Sequence, residues 1–218
     1  MKTAEHPFQF VTASYLTRIS NYEATNLADL SECLEKSSDA SIFYHTFQTL
    51  SRHHFLTEGF SNDFAQWVLA ACNRAELAEQ LASLDIRDYL SLAELRTDLY
   101  RIVTEYAANN PSYANQEAFE PFYFCDAIEV AVPLGVEAWT LGDFRRGLER
   151  LSHASFHYHF VASRLRLHLR TNDFSHWLET SLGLDALAQQ VNRIDIYTNT
   201  LESARAKLGA LVEEAAVR

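Results

Sequence analysis

The sequence predicts a mostly α-helical fold, built by tandem duplication of a five-helix unit with pseudo-two-fold symmetry. Three observations predict it. The chain aligns with itself over most of its length. Helix-capping residues recur at matching places in the two copies. Only 6 Gly and 4 Pro occur in 218 residues, few for an all-β chain that needs many tight turns.

Sliding the chain by 114 residues places Pro7-Phe8-Gln9-Phe10 on Pro121-Phe122-Tyr123-Phe124, and Leu27-Ala28-Asp29 on Leu141-Gly142-Asp143. Ala40-Ser41-Ile42-Phe43-Tyr44-His45 falls on Ala154-Ser155-Phe156-His157-Tyr158-His159. Residues 7–48 give 15 identities in 42 ungapped positions, where chance would give roughly 3. After a four-residue deletion, Asn62-Asp63-Phe64 meets Asn172-Asp173-Phe174 and Trp67 meets Trp177. A further deletion aligns Leu92, Arg96 and Leu99 with Leu201, Arg205 and Leu208. The copies are residues 1–110 and 111–218, expected to pack as one body.

Taking the elements in order, Phe8-x-Phe10, Phe122-x-Phe124 and Ile128-x-Val130-x-Val132 alternate. Segments 7–20 and 121–134 therefore read as short strands, able to form a small two-stranded β element. Pro133-Leu134-Gly135 reads as the turn that ends the second. Asn26 and Thr140 are N-caps, each with an Asp three residues on to meet free backbone N–H groups. Helices follow at 26–37, 40–56, 62–72, 74–84 and 91–108, the last opened by the capping box Ser91-Leu92-Ala93-Glu94. The second copy repeats them at 140–151, 154–169, 172–182, 184–194 and 200–215. In the long second helix, Tyr44, Phe47, Ser51 and Phe55 form a core stripe, matched by Tyr158, Val161, Leu165 and Leu169. Trp67 and Trp177 are expected to lie across it as core anchors. Polar residues 109–115, with Pro111, read as the linker.

The balance of 18 Lys+Arg against 29 Asp+Glu gives a formal charge of -11. With no basic run, such a surface repels phosphate backbones, so nucleic acid is not an expected partner. The first residues lack the apolar stretch of a secretory signal, and no run of eighteen apolar residues exists. A cytoplasmic protein with no membrane contact is the expectation. Cys33, Cys72 and Cys125 match neither a disulfide framework nor a zinc site, and read as reduced, packed thiols.

The stretches Ser41-Ile42-Phe43-Tyr44-His45-Thr46, Asn62-Asp63-Phe64-Ala65-Gln66-Trp67-Val68 and Leu77-Ala78-Glu79 resemble a prokaryotic family catalogued as a domain of unknown function, number 5752. In the second copy Glu137-Ala138, Ala162-Ser163-Arg164-Leu165-Arg166 and Asn172-Asp173-Phe174-Ser175-His176-Trp177-Leu178 match as well. The resemblance covers nearly the whole chain. It implies the architecture and brings no established activity. Members carry a second histidine two places after the first, where this chain has Phe47, which counts against a metal site in copy one.

The candidate ligand-binding residues are polar and duplicated. Ser41, His45 and Arg52 share one helix face, beside Tyr44, and Asp63 starts the next helix within reach. Ser155, Tyr158, His159, Arg166 and Asp173 repeat the set. Two such clusters meeting at a central axis would form a small polar pocket. The same residues also serve as ordinary ion pairs and satisfied buried hydrogen bonds that tie helices together. His153-x-x-x-His157, with His168 and His176, spaces imidazoles as a metal site would. Copy one has Asp39 and Phe43 at the first two positions, and no third ligand follows a known pattern, so these read as solvated histidines. Glycine-rich phosphate loops, nucleophile elbows and His-Glu-x-x-His are absent. The sequence thus points to a non-enzymatic interaction or small-ligand-binding protein with no cofactor, no metal and no catalytic residue. Its partner would be an unknown protein or small molecule. The alternative is a metal- or His/Asp-dependent enzyme using His45, His159, Asp63 and Asp173.

Overall fold

A computed structural model describes residues 2–49, 60, 62–168 and 170–217. Helix accounts for 57% of the described residues and strand for about 20%, the latter in one antiparallel two-stranded sheet. The expected mostly-α duplication of a five-helix unit is therefore corrected. Strand β1 spans Thr3–Ala24 and β2 spans Phe122–Thr140, both far longer than the short strands read from sequence.

The cause of the misreading is local. Long stretches of both strands are exposed on both faces, so they carry no in/out alternation to find. Pro133-Leu134-Gly135 is no turn, because β2 runs through it to Thr140. A strand with only one neighbour tolerates a proline whose missing N–H faces outward. Gly135 takes φ +66, open to glycine at no steric cost and typical of a bulge.

The chain divides into two compact units, and these cross the repeat boundary. Unit 1 is Met1–Ser14 with Glu129–Arg218, and unit 2 is Tyr15–Ile128. Each unit therefore takes the helices of one copy and the leading strand segment of the other.

In unit 2, helix α1 (Leu27–Lys36) is capped by Asn26, whose side chain accepts from the Asp29 N–H. Next come α2 (Asp39–Phe43), continued by a π-turn over Tyr44–Gln48, then α3 (Asp63–Ala70) and α4 (Ala75–Ala82). Helix α5 (Leu92–Asn109) follows, and the expected linker holds a helical turn, α6 (Pro111–Ala114), with proline in its first turn. Ser91 caps α5 as expected, but the Glu94 carboxylate accepts from the Leu90 N–H, so the capping box is half formed. The expected helix over 40–56 is described only to Thr49; Ser51, Arg52 and Phe55 lie outside the described residues. Helices α1 and α2 pack on α5, and α3 packs on α4, around Leu30, Leu34, Ile42, Phe47, Phe64 and Leu99.

Unit 1 repeats the scheme with α7 (Leu141–Glu149), α8 (His153–Phe160), α9 (Ser163–Leu167), α10 (Asp173–Thr180), α11 (Asp185–Asn192) and α12 (Leu201–Val217). Thr140 and Asp143 form a complete capping box at α7. The expected helix over 154–169 is broken: Ala162 N–H reaches back five residues to His157 O at 3.0 Å, a π-type irregularity like that at Tyr44–Gln48. Leu169 lies outside the described residues. Nor are Tyr44 and Tyr158 core residues, since both are only half-buried. Among the described residues of that segment, the buried phenylalanines are Phe43 and Phe47 in one unit, and Phe156 and Phe160 in the other.

Candidate functional site

The strand segments enter their units through repeated contacts. In unit 1, Phe8 and Phe10 are 5% and 1% exposed. Phe8 sits within a ring of Phe144 at 5.3 Å, Phe174 at 5.4 Å and Trp177 at 5.7 Å between centroids. In unit 2, Phe122 lies 5.2 Å from Phe64 and 5.7 Å from Trp67. These tilted and edge-on pairings are favourable aromatic geometries. Trp177 and Trp67 are buried core anchors, and each also donates its indole N–H to a backbone carbonyl, within the incoming strand for Trp177 and two residues before it for Trp67. The acceptors are His6 O and Glu120 O, both at 2.8 Å.

The duplicated polar residues complete the same docking. Val11 N–H donates to His159 Nε2 at 2.9 Å, and Cys125 N–H donates to His45 Nε2 at 3.0 Å. On the other ring nitrogen, His159 Nδ1 lies 2.7 Å from Asp173 Oδ2, and His45 Nδ1 lies 2.8 Å from Asp63 Oδ2. A nitrogen that accepts an N–H carries no proton, so the ring proton of each histidine sits on Nδ1 and is donated to the aspartate. Both rings are buried, at 3% exposure.

Short sequence signals build this arrangement. In Asn62-Asp63-Phe64 the buried Asn caps α3, accepting from Ala65 N–H at 2.9 Å, while the Phe enters the core. Between them Asp63, in the first turn, turns to the histidine. Asn172-Asp173-Phe174 divides the work identically at α10, with Ser175 N–H on Asn172 at 3.0 Å. A carboxylate in the first turn also lies at the positive end of the helix dipole. A π-type irregularity lies beside each histidine, over Tyr44–Gln48 in one unit and at the His157 O to Ala162 N–H bond in the other.

In unit 1, Ser155 is buried and donates its hydroxyl to Val11 O. His159 and Ser155 thus satisfy both backbone groups of Val11, as a neighbouring strand would, which closes that stretch of sheet edge. Ser41 is buried too, but its hydroxyl has no partner among the described residues. Arg166 donates to Asp173 at 2.7 Å and to Tyr158 O at 3.0 Å, with its guanidinium 3.6 Å over the Tyr158 ring. Burial pushes the Tyr158 phenol above its usual range, with the Arg166 charge opposing, so it stays protonated at neutral pH. Tyr44 packs edge-on against His45 at 4.8 Å, as Tyr158 does against His159 at 5.1 Å. Each cluster is assembled within a single unit. Arg52, the remaining expected member, lies outside the described residues.

One expectation changes and one residue is added. His157 is buried at 1% exposure rather than solvated, whereas His153 is exposed and pairs with Glu202 at 3.0 Å. Asp126, given no role from sequence, is 4% exposed. It accepts from Ser38 Oγ at 2.8 Å and Arg18 Nη2 at 2.6 Å. The available signal was its register: it follows Phe122 and Phe124 at two-residue steps, and an acid on an inward face calls for a charged partner. Burial raises the Cys33 thiol and pushes Cys72 up to about 11, leaving both as weak nucleophiles. The described residues hold no group of three or more His, Cys, Asp or Glu placed to bind a metal ion. Nor do they include a helix long and apolar enough to cross a membrane.

The geometry defines a class: an internally duplicated α+β protein whose units each close around a strand segment from the opposite copy. The chain belongs to the family of unknown function 5752, whose model matches residues 5–213. It is similar in structure to OrfY from Thermoproteus tenax, with 28% identity, a TM-score of 0.85, and 99% of this chain and 98% of that one covered. No curated protein matches it.

Proposed function

We propose that this protein acts by binding a partner, without catalysis, and that its duplicated His/Tyr/Arg/Asp clusters are clamps that hold the binding body together. One observation carries the reading: every ring nitrogen of His45 and His159 is already bonded, Nε2 to a strand amide and Nδ1 to an aspartate. A general base or metal ligand needs a lone pair directed at substrate or ion. Here that lone pair holds the fold.

The test is long-range ¹H–¹⁵N NMR of the two imidazoles during a zinc titration. The clamp reading expects the Nδ1–H tautomer at both rings, unmoved by zinc. Zinc uptake at one equivalent with a change of tautomer at either ring would transfer support to the His/Asp-dependent enzyme.

A further inference from the structure

Within unit 2, the segment that joins α6 to β2 is pinned along its length. The Gln116 side chain accepts from Arg74, and Ala118 N–H donates to Thr25 O at 2.8 Å. Phe119 N–H donates to Ala71 O at 2.9 Å, and Glu120 O accepts the Trp67 indole at 2.8 Å. From this fixed backbone the Phe119 ring stands out at 85% exposure, the highest of any large apolar side chain among the described residues. A single exposed apolar side chain is ordinary on a protein surface. The duplication supplies the reason to single this one out, because it shows that the fold does not demand it. At the 114-residue offset Phe119 falls on the exposed Glu5 of the first copy. Glu5 N–H donates to Ser181 O at 3.4 Å, as Phe119 N–H does to Ala71 O, and the next carbonyl, His6 O, accepts an indole as Glu120 O does. One backbone position, bonded alike in both units, carries a carboxylate in the first copy and an uncovered phenyl ring in the second.

We propose that Phe119 is an anchor that enters an apolar pocket, rimmed by lysine or arginine, on a partner protein. The pinned backbone leaves little conformational freedom to lose on capture, which favours binding. An aromatic ring brings a large contact area, on the order of 200 Å² when fully covered. The charges beside the ring select the rim. Glu117 and Glu120 flank Phe119, both are exposed, and neither has an ion pair among the described residues. Residues 115–120 contain no Lys or Arg, so a complementary rim is basic. A second copy is disfavoured, since it brings a formal charge of -11 of its own. An anionic lipid surface is disfavoured for the same reason. The inference rests on the partner-binding reading above.

The probe is β-cyclodextrin, an apolar ring that takes up phenyl groups, bearing protonated amines on its wide rim. It is titrated into the full chain by calorimetry, with NMR to map the site. The amine-bearing ring should bind at Phe119 about fivefold or more tighter than unmodified β-cyclodextrin. Glu117→Gln with Glu120→Gln should erase that preference. Phe119→Glu, for which Glu5 is the precedent, should weaken binding about tenfold or more and leave the thermal melt unchanged. Ile19→Glu, an equal change of charge at a side chain 73% exposed, should leave binding unchanged. In the cells that make this protein, Phe119→p-benzoylphenylalanine should, on illumination, capture a protein whose crosslinked peptide carries Lys or Arg beside apolar residues. Equal affinity for the two rings, or undiminished binding by Phe119→Glu, overturns the proposal. So does a crosslink to a second copy of this chain or to lipid, or a protein crosslink that survives Glu117→Gln with Glu120→Gln undiminished. Failure here with both imidazoles indifferent to zinc removes only the anchor. Zinc uptake alongside the expected Phe119 crosslink removes only the non-catalytic reading.

Discussion

Removing residues 122–128 from a fragment made of unit 2 alone should unfold it. The fragment Tyr15–Ile128 is a contiguous stretch of chain that holds every element of its compact unit. Fragment 15–121 keeps all of the helices and even the Glu120 carbonyl that holds Trp67, and loses only seven residues. Those seven include Phe122 and Phe124, at 7% and 0% exposure. Loss of a buried phenylalanine costs about 3–5 kcal/mol, so the pair accounts for roughly 6–10 kcal/mol. His45 Nε2 loses the Cys125 N–H while still buried, at about 1–3 kcal/mol more. The sum, roughly 7–13 kcal/mol, matches the whole stability of an ordinary domain, about 5–15 kcal/mol. Near-UV circular dichroism and urea unfolding of the two fragments make the comparison. Tyr15–Ile128 should unfold cooperatively, and 15–121 should show no transition. A cooperative transition in 15–121, with a midpoint close to that of the longer fragment, would refute the strand's place in that core.

Other expectations concern unit 1. Gly147 lies against Phe10, and a Cβ built there would stand 2.2 Å from ring carbons. Gly147→Ala should therefore destabilise the full chain by about 1–3 kcal/mol, measured by urea unfolding with Phe10→Leu as the relieving partner. Asp143 titrates below the ordinary value of 3.8, chiefly because the Thr140 hydroxyl donates to it. A depressed carboxylate stabilises the fold above its unfolded pKa, and that contribution vanishes as pH falls through the folded value. Asp143→Ala should cost about 1 kcal/mol near neutral pH, and its deficit in thermal unfolding should begin to shrink near pH 3.8 and close below the lower folded value. A constant deficit would place the effect in helix propensity instead.

The helices and their caps were legible because their signals are local. Asn26, Thr140 and the Asn-Asp-Phe triplets each act within a turn of themselves. The pairing of each histidine with the aspartate 18 or 14 residues on was also legible, since the duplication repeats both partners. What the clusters hold was hidden. The receiving groups are the backbone amides of Val11 and Cys125, and a backbone amide has no sequence signature. The extent of the strands was hidden too, because a strand with solvent on both faces lacks alternation. The burial of His157 was masked by its histidine neighbours, which resembled a solvated cluster.

Duplication itself concealed which helices each strand serves. Phe8-Gln9-Phe10 and Phe122-Tyr123-Phe124 are near copies, so either could fit either set of helices, and pattern alone cannot choose. Topology can. β1 is 22 residues long, roughly 70 Å of extended chain, and it is divided between the two units at Ser14. Its first part packs beside Trp177, while Tyr15, one residue past the division, lies 5.3 Å from Phe43. A strand that long cannot fold back on the helices that follow it without a turn, and β1 has neither Gly nor any Pro after Pro7 to make one. The unbroken strand carries Phe8 and Phe10 to the helices of the other copy. The small differences between the units fit that exchange: where copy one has Leu30 and Cys33, copy two has Phe144 and Gly147, a larger ring balanced by a missing side chain. The Phe10 ring occupies the space that Gly147 leaves. Each copy of the strand is thus matched to its adopted helices, so swapping Phe144 and Gly147 for Leu and Cys together should be tolerated better than Gly147→Cys alone.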